Sequence, residues 1–255
     1  MSFISLNFVV LFACTFILYH TLPSRFRKAT LLTASCLFIG FYHLAFLITA
    51  LILTLTTFYL GKWIGQAKRE SGMKGIYFSG VCFLVVSWLA FRYADRLTDC
   101  HILFPLGISF YTFQAISYLT EIYWQEEEPE KSLPDFMIYM LFFMKFLSGP
   151  IERASDMLPQ LKSCKATDYT SMVYGMRLIV VGLIKKLILA DSIAPYIDGV
   201  FGSVYTASGV QLLMACLLYP IELYADFSGY TDIALGGARM LGFKLSPNFN
   251  RPFIA

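Results

Sequence analysis

Residues 29 to 61 form a run of 33 residues with no charged side chain and one histidine, His43. Arg25, Arg27 and Lys28 precede the run; Lys62, Lys68, Arg69 and Lys74 follow it. A helix needs about 20 apolar residues to cross a bilayer, so the run is too long for one crossing and short for two. Basic clusters favour the cytoplasmic side. Clusters at both ends therefore make the run enter and return, with a turn near Gly40–His43. Backbone broken at membrane depth survives only where protein or a cavity covers its polar groups. The chain is limited to an all-α polytopic membrane bundle in which some helices are short, broken or re-entrant.

The remaining residues obey the same constraint. The 255 residues are 57% hydrophobic and 15% charged, against about 25% charged in soluble domains. The net charge of +3 is unremarkable; its distribution sets topology and gives no sign of a nucleic-acid partner. The apolar run Ile4–Tyr19 comes before the first basic cluster, the reverse of a cleaved signal peptide. It is expected to be retained as a first span with its N-terminus outside the cytoplasm. Ile76–Phe91 should cross outward, and Leu103–Trp124 should cross back, opening on Pro105 and Gly107. The acidic loop Gln125–Asp135 is expected in the cytoplasm with its glutamates solvated.

Further along, Phe136–Leu147 is too short for a span and contains Lys145, which suits a re-entrant or interfacial segment. Glu152–Thr170 reads as polar and irregular. Met172–Ala190 reads as a helix whose Arg177, Lys185 and Lys186 run out to the cytoplasmic boundary. Gly209–Ala225 is the last clear span. No linker divides the chain, so residues 1–255 are expected to form a single multi-pass membrane domain. Cys14, Cys36, Cys82, Cys100, Cys164 and Cys216 form no CxxC and have no histidine at ligand spacing. They read as buried small apolar residues, with no metal site. His20, His43 and His101 each stand near the end of an apolar run, as boundary residues.

The chemistry concentrates at one place. Glu222, Asp226, Ser228, Tyr230 and Asp232 follow directly on the last apolar run. A carboxylate at bilayer depth costs about 2.5–3.5 kcal/mol on insertion scales, so such groups face a bundle interior or a watery cavity. On a helix, Glu222, Asp226 and Tyr230 stack on one face, and Ser228 and Asp232 form a second pair. Gly229, Gly236 and Gly237 allow close backbone approach. Two readings fit: a polar lining that serves chemistry, or a network that only locks helices together. No Walker loop, dinucleotide fingerprint, HExxH or nucleophile elbow is present. From residues alone, a transporter using these acids for ions or protons and a membrane enzyme both remain open.

Four blocks narrow the choice: FPLGISFYTFQAISYLTEIYW (Phe104–Trp124), FLSGPIERASDMLPQL (Phe146–Leu161), GLIKKLILADSIAPYIDGVF (Gly182–Phe201) and LYADFSGYTDIALGGARMLGFKLSPNFNRPF (Leu223–Phe253). In this order they resemble the membrane-bound O-acyltransferase family, most closely its alginate O-acetyltransferase branch. The D-alanine-exporting branch is the second choice, and an export-channel subunit is a further alternative. The resemblance implies a helical bundle pierced by a tunnel in the bacterial inner membrane. An acyl thioester, acetyl-CoA or an acyl carrier, would be the donor. The acceptor would be an alginate-like secreted or surface polysaccharide, reached directly or through a periplasmic or extracellular acetyltransferase partner. The resemblance places the family's catalytic histidine beyond residue 255; none of His20, His43 and His101 matches it. Residues 1–255 are thus expected to be an N-terminal portion, inactive alone. Asp226, Tyr230, Asp232, Asn248 and Arg251, with Glu222 and Ser228, are expected to line or brace the tunnel.

Overall fold

A computed structural model describes residues 5–67, 69–97, 105, 107–147, 149–164 and 167–248, with the side chains of 94–97 excepted. Among the described residues every regular element is helical: α1 (Leu6–Thr21), α2 (Ser24–Tyr42), α3 (Leu44–Gln66), α4 (Glu70–Leu97), α5 (Ile108–Tyr123), α6 (Leu133–Leu141), α7 (Ala154–Ser163), α8 (Tyr169–Leu183), a π-helical segment (Ile184–Ala190), α9 (Asp191–Gly202) and α10 (Gly209–Met240). The chain divides into two compact units, the first built from α1–α7 and the second from α8 to α10. Leu44–Gln66, Glu70–Tyr93 and Gly209–Met240 are long and apolar enough to cross a bilayer; α1 is apolar but shorter.

In the first unit the uncharged run breaks at His43, as its length requires. His43 is extended, and its Nδ1 accepts the Ala45 N–H at 3.2 Å, capping α3. Lys28 in the first turn of α2 pairs with Asp135 in the first turn of α6 at 2.7 Å. Gly65 near the end of α3 lies against the ring of Pro129, where a Cβ would have no room. These contacts gather the three segments predicted to be cytoplasmic at one end of the unit.

Several local expectations are corrected. The basic stretch Ser24–Lys28 that precedes the uncharged run is already helical and opens α2. The α4 helix starts at Glu70, ahead of the apolar run, where Glu70 pairs with Lys74 one turn on at 2.5 Å. The stretch read as irregular contains α7, which buries Ala154, Met157, Leu158 and Leu161 at helical spacing around Pro159. Cys14, Cys82 and Cys216 are exposed and Cys36 half-exposed; only Cys164 is buried among the described cysteines. The exposed ones sit on apolar helix faces suited to lipid. Cys100 and His101 lie outside the described residues.

The acidic loop is only partly solvated. Glu126, Glu127 and Glu128 are exposed, but Glu130 is buried. Its Oε1 accepts the N–H groups of Lys131 and Ser132, each at 2.8 Å, and its Oε2 pairs with Lys162 of α7 at 2.8 Å. Burial alone would raise the pKa of Glu130. The Lys162 bond and the two N–H donors outweigh that and hold the carboxyl below its usual range. The same bond holds the Lys162 ammonium above its usual range.

Short helix α6 is followed by turns, and side chains cover their backbone. Ser35 Oγ accepts the Phe143 N–H at 3.2 Å, and Tyr139 donates its hydroxyl to the Glu152 carbonyl at 3.0 Å. Lys145 is buried. It donates to Gln114 Oε1 at 2.7 Å and lies over the Tyr139 ring at 4.5 Å. Gln114 in turn donates to the Tyr139 carbonyl at 2.8 Å. Burying a lysine without such partners would be costly.

The second unit is built on glycine. The α8 and α10 helices run antiparallel with Gly175 opposite Gly236 and Gly182 opposite Gly229. A Cβ at Gly175 would stand 2.6 Å from the Gly236 carbonyl oxygen, and one at Gly182 would stand 2.6 Å from that of Gly229. Glycines seven apart on both helices let the backbones touch, the small-residue packing by which helices associate in lipid.

Candidate functional site at the polar face of the last helix

A capping box starts α10. Ser208 Oγ accepts the Gln211 N–H at 3.3 Å, and Gln211 Oε1 accepts the Ser208 N–H at 2.8 Å. The helix continues through Pro220 to Met240, 32 residues in all. At 1.5 Å per residue that is about 48 Å, longer than the roughly 30 Å hydrocarbon core. Its second half therefore carries the polar residues without a break in the helix.

Two lysines of the π-helical segment face those residues. Lys185 Nζ lies 2.6 Å from Asp232 Oδ2, and Lys186 Nζ contacts Asp226 Oδ1. Lys186 also pairs with Asp191 at 2.8 Å and lies over the Tyr230 ring at 5.4 Å. The lysines thus turn back onto α10 instead of running out to a boundary. The segment's geometry explains the three-way contact. The Asp191 N–H bonds to the Lys186 carbonyl, five residues back as in a π-helix. That winding carries Asp191 round to the face of Lys186, whereas an α-helix would leave residues five apart on different faces. Gly229 brings the strand of charges close, since a Cβ there would stand 3.1 Å from the Lys186 nitrogen.

The structure brings together Asp226, Tyr230 and Asp232, with Glu222 half-buried one turn before Asp226. Ser228 is buried, but its Oγ has no hydrogen-bond partner among the described residues. Asn248 is exposed in a bend after the helix and is not part of this cluster; Arg251 lies outside the described residues. Lys185, Lys186 and Asp191 were missed as site residues. Their signal was present as two cations set one helix away from two acids that lacked partners in sequence.

Beside Asp232 opens a cavity of about 470 Å³, lined on its polar side by Thr170, Ser171, Tyr174, Asp232, Arg239 and Lys244. Arg239 stacks over the Tyr174 ring at 5.7 Å, and its Nε is buried with no hydrogen-bond partner. The end of α10 shapes the rim. Gly242 has φ +89°, the left-handed region natural to glycine. The Phe243 N–H reaches the Ala238 carbonyl at 2.9 Å and the Gly242 N–H reaches that of Arg239 at 3.0 Å. This is a Schellman termination, and it turns Lys244 onto the cavity.

No family model matches the chain. Individual relatives do. A probable alginate O-acetylase of Azotobacter vinelandii is 34% identical over 274 residues, covering 100% of this chain and 54% of that protein. A peptidoglycan O-acetyltransferase of Helicobacter pylori is 28% identical, covering 90% and 51%. A teichoic acid D-alanyltransferase of Bacillus subtilis is 29% identical, covering 74% and 50%. The chain spans about half the length of the curated relatives it matches. With its all-helical bundle and its homology to these transferases, the chain belongs to the membrane-bound O-acyltransferase family.

Proposed function

We propose that the protein is a multi-pass O-acyltransferase of the bacterial inner membrane that acetylates an alginate-like secreted or surface polysaccharide. The observation that carries this reading is alignment along the whole chain with proteins named alginate O-acetylases. An acyl thioester, acetyl-CoA or an acyl carrier, is the donor. The polymer receives the acetyl group directly or through an acetyltransferase partner outside the cytoplasm. The two compact units belong, in this reading, to one membrane domain.

In such a transfer a general base takes the proton of an acceptor hydroxyl as its oxygen attacks the thioester carbonyl. The second unit contains no histidine in its sequence; in this reading the base is a histidine outside these residues. The paired charges of α10 hold that helix against the π-helical segment and present Asp232, Tyr174 and Arg239 to the cavity. Asp226 and Asp232 each have a lysine, which suits a positioned polar wall better than an ion path. D-alanyl transfer is the second reading, favoured by the Bacillus subtilis relative.

The test is deletion of the gene followed by measurement of acetyl esters on surface and secreted polysaccharide. Loss of ester, restored by the gene in trans, supports the reading. Unchanged ester with loss of D-alanyl ester from an envelope polymer selects the second reading.

A further inference from the structure

We propose that the π-helical segment is a latch with two positions: Lys186 keeps Asp226 and exchanges Asp191 for Glu222 as the segment rewinds to an α-helix, and the exchange turns α9 on α10. π-Helices are rare and short, and they recur at functional sites. This one runs for seven residues. Lys186 bridges Asp191, at the segment's own continuation, and Asp226 on α10. The bridge is what rewards the wider winding. In an α-helix Ala190 would stand above Lys186, and Asp191 would turn off that face.

Three acids surround this one ammonium. Glu222 lies one turn before Asp226 and is half-buried. It is within electrostatic reach of Lys186, Asp191 and Asp198, and forms no ion pair among the described residues. Lys186 faces Asp226 while Phe201 faces Tyr219, so this stretch runs antiparallel to α10. Asp191 and Glu222 therefore lie on the same side of Lys186. When Asp191 leaves, Glu222 takes its place. Each position leaves one acid alone: the half-buried Glu222 in the first, the exposed Asp191 in the second. Two arrangements with similar contacts are what a two-state element requires.

The fixed and moving parts follow from the packing. Lys185 on Asp232 and the contact of Gly182 with Gly229 hold the start of the segment. At its far end Pro195 has no N–H to give the Asp191 carbonyl, so the junction with α9 lacks a helical hydrogen bond. The α9 helix packs on α10 and buries Ile197 and Val200, with the Phe201 and Tyr219 rings 6.1 Å apart. Tighter winding advances α9 by one residue, about 100°. Tyr196 and Gly199 then stand where Ile197 and Val200 stood, and Val200 takes the place of Phe201. Tyr196 is an exposed aromatic and Gly199 has no side chain, so the turn buries no charge.

The experiment uses the full chain, freed of its own cysteines, in phosphatidylcholine nanodiscs. Two cysteine pairs report the positions: Phe201→Cys with Tyr219→Cys for the first, and Val200→Cys with Tyr219→Cys for the second. The rate of linkage by a short bifunctional thiol reagent is measured for each pair. Asp191→Asn should raise the rate of the second pair relative to the first by about fivefold, the upper worth of a partly exposed ion pair. Asp191→Glu should keep the wild-type ratio. Adding Glu222→Gln to Asp191→Asn should cancel the rise, because the acid that receives Lys186 is gone. Thermal midpoints identify which variants are folded. If Asp191→Asn does not fold, Glu222→Gln alone decides, and should lower the wild-type ratio by about the same factor. The proposal is overturned if folded Asp191→Asn links as wild type does, or if its rise persists without the Glu222 carboxylate. It is overturned equally if Glu222→Gln alone leaves the ratio unchanged.

Discussion

Lys185 Nζ lies 2.6 Å from Asp232 Oδ2, and its neighbour Lys186 holds both Asp226 and Asp191. Two adjacent cations on the π-helical segment thus answer two acids on α10. Asp226 and Asp232 each have a counter-charge, which offsets the cost of a carboxylate in such surroundings.

Removing one partner should therefore do more harm than removing both. Asp226→Leu leaves Lys186 with only Asp191, and Lys186→Met strands Asp226; each should lower stability by about 2 kcal/mol. The double variant should recover part of that loss, because the one charge that then loses its partner, Asp191, is exposed and can be solvated. Thermal midpoints in detergent and membrane abundance for the four proteins would measure the coupling. Additive losses would show that the pair does not interact.

The glycine seam gives a second expectation. Gly182→Ala must push the Gly229 carbonyl away and should destabilise by about 1–3 kcal/mol, as overpacking does. Gly199→Ala, with nothing within 4 Å of its added Cβ, should be neutral or stabilising by up to about 1 kcal/mol. Equal midpoints for the two variants would mean that α8 and α10 do not touch at this seam.

Glu130 should make the first unit pH-sensitive. Its folded pKa is lowered, so its contribution is present above the unfolded value of about 4.3 and lost as pH falls through the folded value. The Lys162 pKa is raised, so its contribution is full below about 10.4 and lost as pH rises through the folded value. Glu130→Gln should lower stability by about 1–2 kcal/mol at pH 7. The difference from wild type should vanish in acid below the folded pKa of Glu130. A difference constant from pH 7 down to pH 2 would remove the carboxylate from the account.

Topology follows from the meeting of Lys28 with Asp135. Single cysteines at Ser24 and Lys131, in a cysteine-free background, should react with an impermeant maleimide only after lysis. Labelling of one from outside intact cells and the other only after lysis would contradict the shared side of the bilayer that the Lys28–Asp135 contact requires.

The helical membrane class and the fold-back at His43 were readable because charge and run length act locally. The stacking of Glu222, Asp226 and Tyr230 followed from helical period alone. The partners of those acids did not. Lys185 and Lys186 sit in an apolar run and look like residues reaching for water. Only the touching of Gly182 with Gly229 turns them inward, and that is a tertiary fact. Glu130 misled for a similar reason: it stands beside three solvated glutamates, and its burial depends on α7, which Pro159 and sparse apolar residues concealed. Asn248 lay close to the cluster in sequence but falls beyond the Gly242 turn, which redirects the chain.

The most direct test of the account is acetyl ester on polysaccharide per membrane copy of the native gene product carrying Asp232→Asn. This change keeps the side chain's shape, removes the charge that meets Lys185, and alters the wall of the cavity. Loss of one charged hydrogen bond corresponds to about a 10–100-fold fall in transfer. The account predicts that fall at unchanged abundance. Wild-type ester per copy would contradict it and leave the cluster as a lock between helices.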